Sequence, residues 1–162
     1  MPERSFPENQ AADGSIAVGN TAVDMEPKRL FVYGSLMEGF FNYKKVLEGK
    51  VITRVPAIAR GILYHQCKKG YPAMIPGEGR VRGEFLELDN YESLITLCDN
   101  LEMYLGPGHP GNEYERRAEV VELETGETRP AWVYWYARSD LNSPENPVVL
   151  IPSGDWRKFI PS

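Results

Sequence analysis

An unbroken apolar run, Leu30-Phe31-Val32-Tyr33, ends at Gly34 and constrains the fold more than any other feature of the sequence. A run with no polar position predicts a strand that is buried on both faces of a sheet. Before it, residues 1–28 carry only scattered apolar residues, too few to offset the entropy of ordering that segment. We therefore predict a disordered leader over 1–28 and one folded domain over 29–162.

Strand and helix patterns follow one another irregularly after this run. Apolar residues between 40 and 47 recur at helical spacing and stop at Gly49, which predicts a short helix. Residues 51–64 predict a long strand bent at Pro56 and Gly61, and residues 80–88 predict another strand. The next predicted helix starts at Asp89 or Asn90 and ends before Gly106-Pro107, with one apolar stripe made of Leu94, Leu97, Cys98, Leu101 and Leu105.

The C-terminal part predicts a hairpin and a last short helix. Strands over 114–124 and 129–137 are joined by a turn through residues 125–127. Residues 153–160 predict a helix that packs Trp156 and Phe159 onto the sheet. The irregular alternation of these elements favours an α+β domain with a mixed, barrel-like sheet over a doubly wound parallel one.

Composition and charge exclude several classes of function. A net charge of -5 opposes binding to nucleic acid. The sequence has no stretch of about 18 apolar residues and no signal-peptide order, so we expect no membrane association and a cytoplasmic location. Cys67 and Cys98 lack the spacing of a metal or redox pair, and His65 and His109 lie in no metal-binding motif. We therefore expect no metal, and chemistry that depends on carboxylates and backbone groups, which requires no cofactor.

The loop after the first strand is a candidate site. Unpaired backbone N–H groups of Gly34, Ser35 and Leu36 would bind an anion or an oxyanion. An ordinary turn is the more common explanation of the same residues, because Gly-Ser after a strand is frequent. A third reading makes Ser35 a nucleophile, but the sequence here lacks the GxSxG pattern and has no histidine nearby.

Glu102 is the candidate carboxylate. At helical spacing it lies at the margin of the apolar stripe, where partial burial would raise its pKa toward the range of a general base. The alternative is a solvated glutamate on the flank of the helix. Tyr114 and Arg116, at the start of a strand, can bind a carboxylate ligand or simply belong to an exposed strand face.

Taken in order, several motifs resemble the γ-glutamyl cyclotransferase superfamily, which includes avirulence-induced-gene-like members. The motifs are Phe31 to Leu36, Tyr71-Pro72-Ala73, Val81-Arg82-Gly83-Glu84, Asp99-x-x-Glu102, Tyr114-x-Arg116 and Ala131-Trp132-Val133-Tyr134. The resemblance implies a small mixed β-barrel with flanking helices and a cavity beside the Tyr-Gly-Ser loop.

The resemblance also implies an activity. The α-amine of a γ-glutamyl compound attacks its own γ-carbonyl, which releases 5-oxoproline and an amine or amino acid. Glu102 falls on the catalytic acid/base, and Tyr33, Gly34, Ser35 and Leu36 fall on the substrate-binding loop. Met103 departs from the Glu-Gly pair common in the family, and the segment from 104 to 113 is longer than usual. A non-catalytic ligand-binding protein on the same scaffold is the alternative.

Overall fold

A computed structural model describes residues 27–160 of the chain. Within that range the chain forms six β-strands, two α-helices and a π-helical turn. The elements are β1 (Arg29–Val32), the π-helical turn (Tyr43–Leu47), β2 (Val51–Gln66), β3 (Tyr71–Leu88), α1 (Tyr91–Leu101), β4 (Tyr114–Leu123), β5 (Thr128–Tyr136), β6 (Val148–Leu150) and α2 (Trp156–Phe159). The predicted leader over 1–28 lies outside the described residues except for its last two positions.

Five of the strands close into a barrel in the order β3-β1-β5-β4-β2, because β2 also pairs with β3. The pairs are antiparallel except for β1 and β5, which are parallel with Leu30 opposite Trp132. The short strand β6 extends the sheet beside the end of β2. The predicted α+β fold, a small mixed β-barrel with flanking helices, is therefore confirmed.

Strand β1 lies at the centre of the hydrophobic core. Leu30 and Phe31 are both 0% exposed although their side chains point to opposite sides of the strand. Both faces of β1 are thus buried, as the apolar run predicts. The chain leaves β1 at Tyr33 and enters the candidate loop directly from this rigid position.

Two strand predictions need correction. Strand β3 begins at Tyr71, nine residues before the predicted strand over 80–88. The predicted bend at Gly61 is confirmed by a register shift between Arg60 and Ile62, but Pro56 pairs in register with Glu84. The other irregularity of β2 lies between Val51 and Thr53 instead.

Helix α1 is shorter than its apolar pattern predicts. It begins after Asn90 and ends at Leu101, so Leu105 lies beyond it and is exposed. Leu97 is also exposed, and the buried stripe consists of Leu94, Ile95 and Cys98 with Leu101 partly buried beside them. The helix ends early because of the hydrogen bonds of its last turn, and this end determines the position of Glu102.

The predicted hairpin and both short helical segments are present. Strands β4 and β5 pair antiparallel over their whole length. Trp156 of α2 is buried, with its ring centroid 5.0 Å from that of Phe40, whereas Phe159 is 39% exposed. The prediction that both aromatic residues pack onto the sheet therefore holds fully for Trp156 only.

Candidate active site

One cavity of about 200 Å³ lies at the end of β1. It is bounded by the loop after β1, the start of β3, the end of α1 and the start of β4. Its lining residues are Phe31, Val32, Tyr33, Gly34, Ser35, Leu36, Asn42, Tyr71, Pro72, Leu101, Glu102, Glu113, Tyr114 and Tyr134. Six of the seven predicted site residues therefore meet in one place; the exception is Arg116.

The loop is held by its carbonyl and side-chain oxygens. The carbonyl oxygens of Gly34 and Ser35 accept hydrogen bonds from the N–H groups of Met37 and Tyr43, each at 2.9 Å. The amide of Asn42 donates to Ser35 Oγ at 2.6 Å, and the hydroxyl of Tyr33 donates to the Tyr134 carbonyl at 2.5 Å. These contacts attach the loop to the helical turn and to β5.

The N–H groups of the same loop are left free within the described structure. Among residues 27–160, no acceptor bonds to the backbone N–H of Gly34, Ser35 or Leu36. Unpaired backbone N–H groups at a cavity wall are suited to binding an anion or a developing oxyanion. The loop therefore offers donors that are already ordered by the contacts made through its oxygens.

Gly34 is required by a close approach between the loop and β3. A Cβ atom at this position would lie 2.8 Å from Cγ of Pro72. Because Pro72 is part of strand β3 and lines the same cavity, the loop can approach the strand only without a side chain at position 34.

Glu102 is positioned by the way α1 ends. The N–H of Met103 bonds to the carbonyl of Asn100 at 3.2 Å, and the N–H of Tyr104 bonds to that of Asp99 at 2.9 Å. This pair of bonds is the Schellman arrangement, with Glu102 as the last residue of the helical spiral. Met103 takes the left-handed conformation that the arrangement requires, with a φ of 53°. The turn therefore stops the helix and leaves Glu102 facing the cavity.

We expect Met103→Gly to stabilise the protein by about 1 kcal/mol, because a left-handed residue with a Cβ is strained and glycine is not. Met103 is 46% exposed, so little packing is lost. Urea denaturation measures the change. Met103→Ala is the matched control, since it keeps Cβ and shortens the side chain, and an equal gain in that variant would contradict the explanation.

The environment of Glu102 favours its neutral form. Burial, and then the carboxylates of Glu113 and Asp99, raise the pKa of Glu102 to about 8. No hydrogen bond from residues 27–160 reaches its carboxylate, so no local donor opposes this shift. A carboxyl group with a pKa near the working pH is suited to both accepting and donating a proton.

Glu113 is a second carboxylate in the cavity that sequence reasoning missed. It is only 6% exposed, and its Oε2 accepts hydrogen bonds from Lys69 Nζ at 2.9 Å and from the Tyr71 hydroxyl at 2.7 Å. Lys69 lies in the turn between β2 and β3, far from Glu113 in sequence. The one available signal was that Glu113 directly precedes the Tyr114-x-Arg116 motif.

Arg116 lies beside the cavity and not in its wall. Its guanidinium makes two hydrogen bonds to the carboxylate of Asp99, at 2.8 and 3.2 Å. The same group lies 4.2 Å from the centroid of the Trp132 ring and 5.2 Å from that of Tyr104. Asp99 also accepts a hydrogen bond from the hydroxyl of Tyr134 at 2.6 Å. In this structure Arg116 therefore holds Asp99 and, through it, a cavity-lining tyrosine.

Tyr114 lines the cavity and is also part of the barrel structure. Its hydroxyl donates to the Pro72 carbonyl at 2.7 Å and accepts from Gln66 Nε2 at 3.0 Å.

Neither histidine lines the cavity: His65 accepts a hydrogen bond from Trp156 Nε1, and His109 lies in the loop after α1. In the described part of the chain no three His, Cys, Asp or Glu side chains are grouped as metal ligands.

None of the helices within residues 27–160 has the length and apolar character needed to cross a membrane. The closed barrel has a cavity in which a partly buried carboxylate and free backbone N–H groups both lie in the lining, an arrangement suited to acid/base chemistry on a small molecule. The chain belongs to the family described as "Gamma-glutamyl cyclotransferase, AIG2-like", whose sequence profile matches residues 30–158.

Individual proteins of similar sequence or structure have names from the same family. The Gamma-L-glutamyl-butirosin B gamma-glutamyl cyclotransferase of Niallia circulans is 36% identical over 130 residues, which cover 80% of this chain and 76% of the relative. A putative gamma-glutamylcyclotransferase of Methanocaldococcus jannaschii is 31% identical over 134 residues, or 80% of this chain and 96% of that one. The crystal structure of an AIG2-like protein from Mus musculus has a TM-score of 0.55 at 26% identity and matches 72% of this chain and 80% of its own.

Proposed function

We propose that this chain is an enzyme that cyclises a γ-glutamyl amide to 5-oxoproline and releases an amine or an amino acid. Family membership supports an enzyme of this kind. The observation that carries the proposal is the shared cavity of the Glu102 carboxylate and the unpaired N–H groups of Gly34 to Leu36. One group moves protons, and the others stabilise negative charge.

In the proposed first step, the α-ammonium of the substrate gives a proton to Glu102 and becomes nucleophilic. Its nitrogen then forms a bond to the γ-carbonyl carbon, and the carbonyl oxygen becomes an oxyanion. The backbone N–H groups of the loop are the donors proposed to stabilise that oxyanion. Loss of one such donor typically costs about 10²- to 10³-fold in rate.

In the second step, the tetrahedral intermediate collapses and the bond to the departing amine breaks. Glu102 returns its proton to the leaving nitrogen, so the same carboxyl group ends as it began. The ring nitrogen gives up its remaining extra proton to become the neutral lactam N–H, and the released amine takes up that proton and leaves as an ammonium. General acid/base assistance of this kind is typically about 10²- to 10⁴-fold. Because nucleophile and carbonyl belong to one molecule, binding the substrate in its cyclising conformation contributes much of the remaining acceleration.

The structure offers little support for a Ser35-dependent hydrolase. The Ser35 hydroxyl accepts a hydrogen bond from Asn42, which cannot act as a general base. The residues that line the cavity include neither His65 nor His109. A fluorophosphonate probe is therefore expected to leave Ser35 unlabelled.

A panel of γ-glutamyl compounds, including glutathione and γ-glutamyl-lysine, tests the proposed function. The purified protein is incubated with each compound, and 5-oxoproline is measured by mass spectrometry. We expect release of 5-oxoproline from at least one member. Measurable binding across the panel without any turnover would instead support the non-catalytic alternative.

We expect kcat/KM to rise with pH through about 8, because Glu102 must be ionised to accept a proton and its pKa is about 8. A series from about pH 6 to about pH 9 measures this. A rate that is independent of pH over that range would contradict the assignment of Glu102 as the base.

The same titration has a consequence for stability that does not depend on activity. The folded-state pKa of Glu102 lies above its ordinary value of 4.5, so the folded state binds the extra proton between these two values. Proton binding by Glu102 therefore stabilises the folded state fully below about pH 4.5, and this contribution is lost as the pH rises through about 8. Relative to Glu102→Gln, the wild type should therefore lose stability over this interval.

A further inference from the structure

We propose that Glu113 is a further substrate-binding residue, whose Oε1 accepts a hydrogen bond from the α-ammonium of the γ-glutamyl group. This inference rests on the proposed function and adds to it, since it assigns the recognition of the substrate's positive charge to a residue other than Glu102. It comes from the geometry of Glu113 and from the charge of the cavity wall.

The two oxygens of Glu113 have different surroundings. Both hydrogen bonds from the protein, those of Lys69 and Tyr71, reach Oε2. No donor among residues 27–160 bonds to Oε1, although the residue is 6% exposed. Oε1 keeps some accessible surface, so a ligand or water that enters the cavity can bind to it. Glu113 therefore has one oxygen that the protein orders and one that it leaves to the cavity.

Glu113 is also held next to the proposed catalytic residue. Its backbone N–H donates to the carbonyl of Met103, the residue after Glu102, at 3.0 Å. Its own carbonyl accepts from the N–H of Ala137 at 2.8 Å, which attaches it to the end of β5. Two backbone bonds thus fix the position of Glu113 relative to the end of α1.

The charges around the cavity favour a cation. Glu102 and Glu113 are the two lining residues with carboxylate side chains, and no lysine, arginine or histidine lines the cavity. Lys69 lies outside the lining, and its ammonium donates to Glu113 Oε2 and to the Tyr136 hydroxyl but not to Oε1. The other groups that face Glu113 are the hydroxyls of Tyr71 and Tyr114, which carry no charge when protonated. A positively charged group that enters the cavity therefore meets two acidic side chains and no basic one in the lining.

The α-ammonium is the substrate cation that must enter. In the proposed reaction the γ-glutamyl group has to reach both Glu102 and the loop, so its ammonium lies inside the cavity. Any charge on the leaving group lies on the far side of the scissile amide. Glu113 is then expected to contribute mainly to substrate affinity, because the proton itself passes to Glu102.

Binding to an inactive protein tests this separately from turnover. The background is Glu102→Gln, and isothermal titration calorimetry is performed with and without the additional change Glu113→Gln. The ligands are γ-glutamyl ethylamide and N-ethylglutaramic acid, which differ only in the α-ammonium. Glu115→Gln is the matched control, since Glu115 is a nearby carboxylate that does not line the cavity. Melting temperatures confirm that all variants fold.

We expect Glu113→Gln to weaken binding of γ-glutamyl ethylamide by about 10- to 100-fold, the usual effect of a hydrogen bond between charged groups. N-ethylglutaramic acid, which lacks the ammonium, should bind with the same affinity whether or not Glu113 is replaced. Glu115→Gln should change the affinity for neither ligand. Equal weakening of both ligands would assign Glu113 a purely structural role with Lys69 and overturn the proposal. The proposal would also be overturned if, in the protein that retains Glu113, γ-glutamyl ethylamide bound no more tightly than N-ethylglutaramic acid.

One further ligand separates the α-ammonium from a cation in the leaving group. γ-Glutamyl-ε-lysine carries both charges. If Glu113→Gln weakens binding of this ligand but not of the ethylamide, the α-ammonium assignment is wrong. Failure of the proposed function has a different signature, namely wild-type protein that releases no 5-oxoproline from any member of the panel.

Discussion

Replacing Glu102 by glutamine is expected to lower the rate of 5-oxoproline release by about 10²- to 10⁴-fold, which is the usual contribution of a general acid/base. The amide has the same shape as the carboxyl group but can neither accept the proton of the α-ammonium nor return it to the leaving amine. Steady-state assays with the best substrate of the panel measure the loss. Because both proton transfers depend on this one group, we expect the loss to appear mainly in kcat.

Two controls make this result interpretable. Circular dichroism should match that of the wild type, and the melting temperature near neutral pH should be no lower, because Glu102 makes no side-chain hydrogen bond within residues 27–160 that the amide would lose and the amide does not titrate. Glu115→Gln makes the same chemical change outside the cavity and should retain activity. A well-folded Glu102→Gln protein with more than one tenth of wild-type activity would remove Glu102 from the mechanism.

Replacing Arg116 by methionine is expected to destabilise the fold by about 3 kcal/mol, at the lower end of the cost of removing one partner from a buried ion pair. The side chains of Arg116 and Asp99 are only 17% and 18% exposed. Without the guanidinium, the Asp99 carboxylate keeps only the Tyr134 hydroxyl as a side-chain partner among the described residues. Chemical denaturation measures the change in the free energy of unfolding.

Arg116→Lys is the matched comparison. It keeps the charge but loses the paired hydrogen bonds and the stacking of the planar group on Trp132, so an intermediate loss of stability is expected. If Arg116 acts by positioning Asp99 and Tyr134, activity should fall far less than in Glu102→Gln. A rise in KM without any loss of stability would instead support direct contact with the substrate, which the sequence motif alone predicts.

Local patterns were sufficient to predict the elements whose residues determine their own conformation. The apolar run of β1 and the hairpin of β4 and β5 are of this kind. The first half of β3 was missed because Pro76, Gly77 and Gly79 are typical of a turn. In the structure Gly79 instead allows a close approach, since a Cβ there would lie 2.6 Å from the Gly61 carbonyl oxygen. Such a requirement depends on how two strands pair in the barrel, and the sequence near the glycine does not reveal it.

The candidate site also contains residues that local sequence patterns indicate and contacts that they do not. A strand end and a helix stripe made the loop at Gly34 to Leu36 and the carboxylate of Glu102 candidates, the family resemblance assigned their roles, and both line the cavity. The ion pairs of Glu113 with Lys69 and of Asp99 with Arg116 join residues from different elements. Their formation depends on strand register and on the place where α1 ends, and a pattern of local residues contains neither.

The identity and isotopic content of the product test the central claim most directly. Wild-type protein is incubated with its best γ-glutamyl substrate in H₂¹⁸O, and the products are analysed by mass spectrometry. Intramolecular cyclisation predicts unlabelled 5-oxoproline in equal amount to the released amine, because no water oxygen enters the product. Glutamate that carries ¹⁸O would show that water attacks the γ-carbonyl, and it would contradict the proposed reaction.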